Sequence, residues 1–153
     1  MKTFHHVPIF LLLAFCCQIH QADAQKVKTG LEVLQKNNFF LLKGKKVGLI
    51  TNPTGIDRNL QSTVDIFHNC PDFELMALFG PEHGVRGDYG AGDYVENYTD
   101  PHTGLPVYSI YGKTRKPTRE MLQGIDVLVY DIQDIGSRSY TYISTLGLAM
   151  EAA

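Results

Sequence analysis

Four apolar stretches of the chain have the character of β-strands. They are Lys45–Thr51, Phe73–Gly80, Leu105–Gly112 and Asp126–Ile132. The first and the last are nearly continuous in Val, Leu and Ile, which is typical of strands that are covered on both faces of a sheet. We predict that these stretches form the strands of one sheet.

Apolar residues at helical spacing lie before, between and after these strands. The predicted helices are one near Thr29–Asn37, one after Asn59 with Leu60, Val64 and Phe67 on one face, one from Thr118 to Gln123, and one after Ser137 with Ile143, Leu146 and Met150 on one face. Strands that alternate with helices favour a parallel sheet with crossover connections, so we expect an α/β fold. The last helix runs to Ala153 without a capping residue, which predicts a domain that is incomplete at its C-terminal end.

Polar loops follow three of the predicted strands. They are Thr51–Gly55, Pro81–Gly84 and Gln133–Arg138. In an open parallel sheet, ligands bind beyond the carboxyl ends of the strands. We therefore expect these three loops to lie along one edge of the sheet and to carry the functional site.

Glu82 is the first candidate at this edge. It comes directly off a buried strand, beside His83 and within the turn-forming segment Gly80–Gly84. A carboxyl group that is partly desolvated at a strand end suits general acid catalysis. The alternative is structural, with Glu82 capping a nearby helix or pairing with Arg86.

Asp93 is a second carboxyl group in the same glycine-rich loop. Glycoside hydrolysis needs two such groups, one to protonate the leaving oxygen and one to act as base or nucleophile. Glu96 and Asp100 belong to the same loop, and for them we expect ordinary solvated positions.

Further polar side chains are expected to line the same edge, where they could hydrogen-bond a polyhydroxylated ligand. They are Asn52, Asp131, Gln133, Arg138, Tyr140 and Tyr142. Packing of the last helix is the alternative role for the two tyrosines.

A metal site is the rival use of the acids and histidines in these loops. The candidate ligands are Glu82, His83, Asp93, His102, Asp131 and Asp134. The chain has no HExxH or CxxC motif, and the spacing of the candidates matches no metal motif. We expect neither a metal ion nor another cofactor.

The overall charge excludes one class of partner. The formal net charge is −2, and no stripe of Lys and Arg is present to neutralise phosphates. A nucleic-acid partner is therefore not expected.

The N-terminus has the pattern of a secretory signal peptide. Lys2 precedes the apolar run Val7–Ile19, and the small-residue cleavage site Ala22–Ala24 follows. We expect cleavage before Gln25 and an exported product, secreted or periplasmic, without a membrane-spanning segment. Lipid attachment at Cys16 is the less favoured alternative, because a bulky Phe precedes that cysteine.

Four blocks in order resemble one bacterial family. They are VGLITNPTG, LFGPEHGVRGDYGAGD, DPHTGLPVYSIYG and DVLVYDIQDIGSRSYTYISTL. Together they are similar to the exo-β-N-acetylmuramidases of glycoside hydrolase family 171, formerly DUF1343. The resemblance covers essentially the whole chain after residue 24 and corresponds to the N-terminal part of the family only.

The resemblance implies a fold and an activity. It implies a Rossmann-like catalytic domain at 25–153, with a mostly parallel sheet, helices on both faces, and a smaller C-terminal domain beyond this chain. It also implies an exported enzyme that releases N-acetylmuramic acid from the non-reducing end of peptidoglycan fragments during cell-wall turnover and salvage. The alternatives are a non-catalytic muropeptide-binding fragment and a metal-dependent hydrolase.

The resemblance assigns roles to several residues. Glu82 of the GPEHG block is the leading catalytic residue, and Asp93 corresponds to an acid that is Glu in many relatives. The residues expected to shape the sugar pocket are Asn52, His83, Arg86, Asp131, Gln133, Arg138 and Tyr140. The lactyl group of muramic acid is negatively charged, so a cationic contact is expected, with Arg86 and Arg138 as the candidates.

Overall fold

The computed structural model describes residues 27–153. The predicted signal peptide and the alternative lipid-attachment site at Cys16 lie outside this range. The elements in chain order are α1 (Gly30–Lys36), β1 (Lys46–Thr51), α2 (Thr63–His68), β2 (Glu74–Gly80), β3 (Tyr98–Thr99), β4 (Pro106–Ser109), β5 (Val127–Asp131) and α3 (Tyr142–Ala152). Within the described range, no helix is both long and apolar enough to cross a membrane.

The strands form one mostly parallel sheet. Their order is β3-β4-β2-β1-β5, and β4, β2, β1 and β5 all pair in parallel. The exception is β3, a two-residue strand that pairs antiparallel with β4 at one edge. The predicted α/β fold is confirmed, and each of the four predicted strands is present with shorter bounds, the third reduced from Leu105–Gly112 to Pro106–Ser109.

Each face of the sheet carries its own apolar core. The core that contacts α1 and α2 includes Leu31, Val47 and Phe67, and that on the other face includes Phe79 and Ala149 of α3. The helices therefore cover both faces, as predicted. Alternation along each strand sends successive side chains to opposite cores, which is why β1 is buried at every position after Lys46.

A bulge in β2 interrupts this alternation. Leu75 pairs with Val47 and Ala77 pairs with Gly48, so Met76 has no partner on β1. An extra residue of this kind shifts the side chains beyond it to the opposite face. Leu75 consequently packs in the first core and Ala77 in the second.

The second helix begins later than its apolar spacing predicts. Ser62 caps it by accepting a hydrogen bond from the Val64 amide, and Leu60 lies outside it with a φ of 62° and 77% exposure. The carboxylate of Asp57 accepts hydrogen bonds from the amides of Asn59 and Gln61, which holds the preceding segment in a turn. The start of the helix is thus set by local side-chain capping and not by the spacing of the apolar residues.

The predicted helix from Thr118 to Gln123 is wrong, because this segment forms consecutive turns. The Leu122 amide bonds to the Thr118 carbonyl at 3.1 Å, but the Gln123 amide bonds to Glu120, only three residues back. Gly124 then adopts a φ of 78°, which ends any helical continuation.

The last helix is present, but its predicted start and buried face are wrong. It begins at Tyr142, because the segment after Ser137 forms a turn in which the Tyr140 amide bonds to the Ser137 carbonyl at 3.1 Å. Thr145 and Ala149 face the sheet, while Ile143 and Met150 are 59% and 71% exposed.

Candidate active site

Two of the three polar loops are tied together at the carboxyl edge of the sheet. The Thr51 hydroxyl donates to the Asp131 carbonyl at 2.8 Å, and the Gln133 amide donates to the Thr54 hydroxyl at 2.8 Å. Thr54 in turn donates to the side-chain oxygen of Asn52 at 2.7 Å. The loops after β1 and β5 therefore form one hydrogen-bonded ledge, on the same edge as the turn after β2.

Glu82 lies in the turn after β2, half-buried, and its two oxygens receive hydrogen bonds from three segments. Oε1 accepts from the Tyr111 hydroxyl at 2.9 Å and from the Gly92 amide at 3.3 Å. Oε2 accepts from the Thr141 hydroxyl at 3.4 Å. The carboxylate is thereby oriented by the segment after β4, the glycine-rich loop and the start of α3.

The turn that presents Glu82 has an unusual backbone. His83 and Gly84 both have a φ of 72°, in the left-handed region that a side chain disfavours. The Gly84 amide bonds to the Pro81 carbonyl at 3.0 Å, and His83 Nδ1 lies 3.1 Å from the Tyr89 carbonyl. Backbone strain of this kind is found at functional sites, and here it lies next to the candidate acid.

Glu82 does not form the structural pair with Arg86 that the sequence left open. Arg86 Nε donates to Asp100 at 2.7 Å, and its Nη2 donates to both Asp100 and Asp65 at 2.9 Å. Nor does Glu82 cap α3 through a backbone amide, since its contact with that helix is the Thr141 side chain. Glu82 is thus held by neutral donors.

Asp100 is fully buried, so the expected solvated position is wrong for it. Burial raises the pKa of Asp100, but hydrogen bonds from Arg86 and Thr103 outweigh that effect and lower the pKa to about 2. The side chain of Arg86 is only 17% exposed, and its own pKa is raised, chiefly by its hydrogen bond with Asp100. The guanidinium is therefore engaged by two carboxylates of the protein.

Asp93 belongs to the glycine-rich loop that contacts Glu82, but its side chain hydrogen-bonds within that loop. Its Oδ2 accepts from the Gly90 amide at 2.7 Å, and its amide donates to the Gly90 carbonyl at 3.2 Å. The preceding amide, that of Gly92, is the one that reaches Glu82. Asp93 is exposed and stabilises the turn that delivers this amide.

Asn52 turns inward, whereas Asp131 is half-buried and its side chain lies on the α2 face of the sheet. Asn52 is 3% exposed, and its side-chain oxygen accepts from both the amide and the hydroxyl of Thr54. The carboxylate of Asp131 accepts from the Thr63 hydroxyl at the start of α2, on the face of the sheet opposite α3. The Asn52 side chain supports the ledge, the Asp131 side chain ties β5 to α2, and neither side chain contacts Glu82.

Gln133, Arg138 and Tyr140 are exposed in the loop between β5 and α3. Tyr140 is 48% exposed and lies beside Tyr142, with ring centroids 6.5 Å apart. This loop ends at Thr141, which contacts Glu82, so the three side chains lie on the segment that borders the candidate acid.

Tyr111 and Thr141 were missed by sequence reasoning. Tyr111 was included in a predicted strand, although β4 ends at Ser109 and leaves Tyr111 at the carboxyl edge. Its hydrogen bond to Glu82 raises the pKa of the Tyr111 hydroxyl. A polar aromatic residue directly after a buried strand was the available signal.

An open cleft of about 330 Å³ adjoins Glu82 through Tyr111, which is part of its wall. The other lining residues are Tyr94, Val95, Glu96, Asn97, Ser109, Lys113 and Thr114. This volume lies in the range of small-ligand sites. The wall is mostly polar, which suits a hydroxylated ligand more than an apolar one.

A larger groove, of about 680 Å³, lies along α1 beside Phe40 and Leu41. Its lining residues include one charged side chain, Lys36, and no carboxyl group. General acid chemistry needs a titratable acid, so the cleft beside Glu82 is the better candidate. Between residues 27 and 153, no three His, Cys, Asp or Glu side chains are arranged so that they could hold a metal ion.

The family model described as exo-beta-N-acetylmuramidase NamZ, N-terminal, matches residues 47–153. The chain is 58% identical over 132 residues to the peptidoglycan beta-N-acetylmuramidase NamZ of Bacillus subtilis (strain 168). That alignment covers 86% of this chain and 32% of the relative, so the chain spans about a third of its length.

Two solved structures of DUF1343 family proteins from Bacteroides fragilis NCTC 9343 have the same fold. The first is 67% identical with a TM-score of 0.75, and the match covers 82% of this chain and 31% of that one. The second is 30% identical with a TM-score of 0.61, covering 83% of this chain and 31% of that one.

Proposed function

The chain belongs to the exo-β-N-acetylmuramidase NamZ family, whose N-terminal part it matches, and from this premise we propose that the complete protein is a glycosidase acting on peptidoglycan fragments. It releases N-acetylmuramic acid from the non-reducing end, in cell-wall turnover and salvage. The observation that carries the proposal is the half-buried Glu82, oriented by Tyr111, Gly92 and Thr141 beside a polar cleft.

In this proposal Glu82 is the general acid and base. Its carboxyl group donates a proton to the glycosidic oxygen as that bond breaks, and the resulting carboxylate then takes a proton from the attacking water. The three hydrogen bonds fix the direction of its oxygens, so little reorganisation is required at the transition state.

Asp93 is the second carboxylate, which stabilises the positive charge on the sugar ring or orients the substrate. One of its oxygens is held by Gly90, so its direction is fixed by the same loop that contacts Glu82. Gln133, Arg138 and Tyr140 supply ligand contacts from the exposed loop before α3, and His83 holds the turn through Tyr89.

We also propose that the product is exported, because residues 1–24 have the pattern of a cleaved signal peptide. Sequencing the N-terminus of protein recovered outside the cytoplasm should give Gln25 as the first residue. A mature protein that begins at a lipid-modified Cys16 would establish the anchored alternative instead.

The activity is tested by release of 4-nitrophenol from its β-N-acetylmuraminide, using the complete natural protein that contains these residues. Glu82→Gln keeps the volume and acceptor oxygen of the side chain but cannot transfer the proton, so we expect the rate to fall by about 10³-fold or more. Urea unfolding of the same variant should be close to that of the parent.

Two other results would identify the alternatives. A parent that binds muropeptides but releases no nitrophenol would be a binding protein without turnover. A parent whose rate is abolished by EDTA and restored by a divalent metal would be a metal-dependent hydrolase. Unchanged activity in EDTA, together with loss on Glu82→Gln, supports the glycosidase proposal.

A further inference from the structure

The cleft beside Glu82 contains one cation whose position is set by the fold. Lys113 lines the cleft two residues after Tyr111, which connects the cleft to Glu82. Gly112, between them, has a φ of 96°, a conformation that residues with a side chain rarely adopt. This turn lets both Tyr111 and Lys113 contribute to the same wall.

The ammonium group of Lys113 lies over an aromatic ring. Its Nζ is 5.2 Å from the centroid of Tyr94, a ring that is 53% exposed. A cation at this distance is attracted to the face of the ring, which holds the ammonium at the cleft wall without neutralising it. Glu96 lines the same cleft, but within residues 27–153 it forms no salt bridge with Lys113.

The neighbouring cations are less suited to hold a ligand carboxylate in this cleft. Arg86 is shared by Asp65 and Asp100. Lys116 pairs with Glu151 at 3.1 Å. Arg115 lies near the Tyr111 hydroxyl and Arg138 lies in the loop before α3, but both are exposed and neither is part of the cleft wall. Lys113 alone combines a place in the wall with a charge that the described part of the chain leaves unpaired.

We propose that Lys113 is the specificity-determining cation that binds the lactyl carboxylate of the terminal N-acetylmuramic acid, with Tyr94 as its support. This inference rests on the proposed function, because it assigns a substrate group to the same site. Glu82 adjoins the cleft through Tyr111 and is held by neutral donors, whereas Lys113 in the cleft wall is a cation, so Lys113 suits the negatively charged lactyl group.

The test separates charge recognition from turnover. N-Acetylmuramic acid and its lactyl methyl ester are titrated calorimetrically into the complete protein and into its Lys113→Met variant, since the ester keeps the shape and removes the charge. We expect the parent to prefer the acid by roughly 10- to 100-fold, the gain typical of a hydrogen bond between charged groups. The variant should bind the acid and the ester almost equally.

Two control variants sharpen the result. Lys113→Arg should retain the preference for the acid because it retains the charge. Lys116→Met removes a cation three residues away that pairs with Glu151 and does not line the cleft. It should leave both the preference and the hydrolytic rate unchanged.

The inference is overturned if the parent shows no preference for the acid, or if Lys113→Met retains it. These outcomes are distinct from failure of the proposed function. If the parent prefers the acid through Lys113 but hydrolyses no muraminide, the binding inference stands and the proposed enzymatic activity is rejected. If the Lys113→Met variant hydrolyses the muraminide as well as the parent does and binds the acid with the same preference, the enzyme assignment stands and the role of Lys113 falls.

Discussion

Glu82 and Arg86 follow the same strand, four residues apart, and meet opposite surroundings. Glu82 is half-buried among hydroxyl and amide donors beside an open cleft. Arg86 is held by two carboxylates, one of them fully buried. A buried charge that is paired with its countercharge is costly to leave unpaired, so it has a structural role, whereas a charge that meets only neutral donors is available for chemistry.

The two clusters also connect different parts of the molecule. The Arg86 cluster joins α2, through Asp65, to the end of β3, through Asp100. The Glu82 cluster joins the segment after β4 to the start of α3. In the complete protein, loss of stability should follow changes in the Arg86 cluster, and loss of activity should follow changes in the Glu82 cluster.

The largest expected effect on stability comes from Arg86→Met. This change leaves the buried Asp100 without its cation, so we expect the free energy of unfolding to fall by roughly 3 to 5 kcal/mol. Urea unfolding measures the loss, and hydrogen exchange at residues 63–68 and 98–100 should locate it. Arg58→Met removes the pair with Glu32, in which the Arg58 side chain is 46% exposed, and should have a smaller effect. Equal losses in the two variants would contradict a structural role for the Arg86 cluster.

The next effect is a dependence of stability on acid pH. The pKa of Asp100 is about 2 in the folded protein, against an ordinary value of 3.8, so the folded state binds this proton less readily. The resulting stabilisation, about 2 kcal/mol, is present above pH 3.8 and is lost as the pH falls through 2. Between pH 5 and 2, the free energy of unfolding should therefore fall more steeply with decreasing pH in the parent than in Asp100→Asn. If the two proteins show identical slopes of unfolding free energy against pH, Asp100 is not the group responsible for the loss of stability in acid.

A smaller effect, now on activity, is expected from Tyr111→Phe. The variant keeps the ring but removes the hydroxyl that donates to Glu82 Oε1 at 2.9 Å. Loss of one such donor should lower kcat for the muraminide about tenfold and shift the pH profile of kcat, with little change in unfolding. A fall in stability without a change in the pH profile would assign Tyr111 to packing instead.

The smallest effect is expected from Thr141→Val. Its hydroxyl lies 3.4 Å from Glu82 Oε2, at the long end for a hydrogen bond. We expect a decrease in kcat of less than about fivefold, measured beside Tyr111→Phe. A larger loss than that of Tyr111→Phe would mean that Oε2, not Oε1, is the oxygen whose orientation matters.

The fold was predictable because it depends on local patterns. Continuous apolar runs such as that of β1 require burial on both faces, and alternation with helices then favours a parallel sheet. The carboxyl edge follows from the strand directions, which is why Glu82 was identified as a candidate from its position alone.

The partners of the charged side chains were not predictable in the same way. Arg86 meets Asp65, twenty-one residues earlier on a helix, through tertiary packing that no spacing rule contains. Tyr111 was hidden because the apolar pattern of its strand continues past the last paired residue, Ser109. The side chain of Asp131 points to the opposite face because strand alternation, not chemistry, decides its direction.

Because Met76 has no partner on β1, the number of residues in β2 determines which face of the sheet each later side chain occupies. Leu75 and Ala77 would share a face in a regular strand, and this single insertion separates them. Deleting it would restore the regular alternation and turn either the start or the end of the strand away from its core. When related sequences are aligned, a gap before the GPEHG block therefore matters as much as a change of the acid within it. A chain can retain every functional residue and still present Glu82 to the wrong side of the sheet.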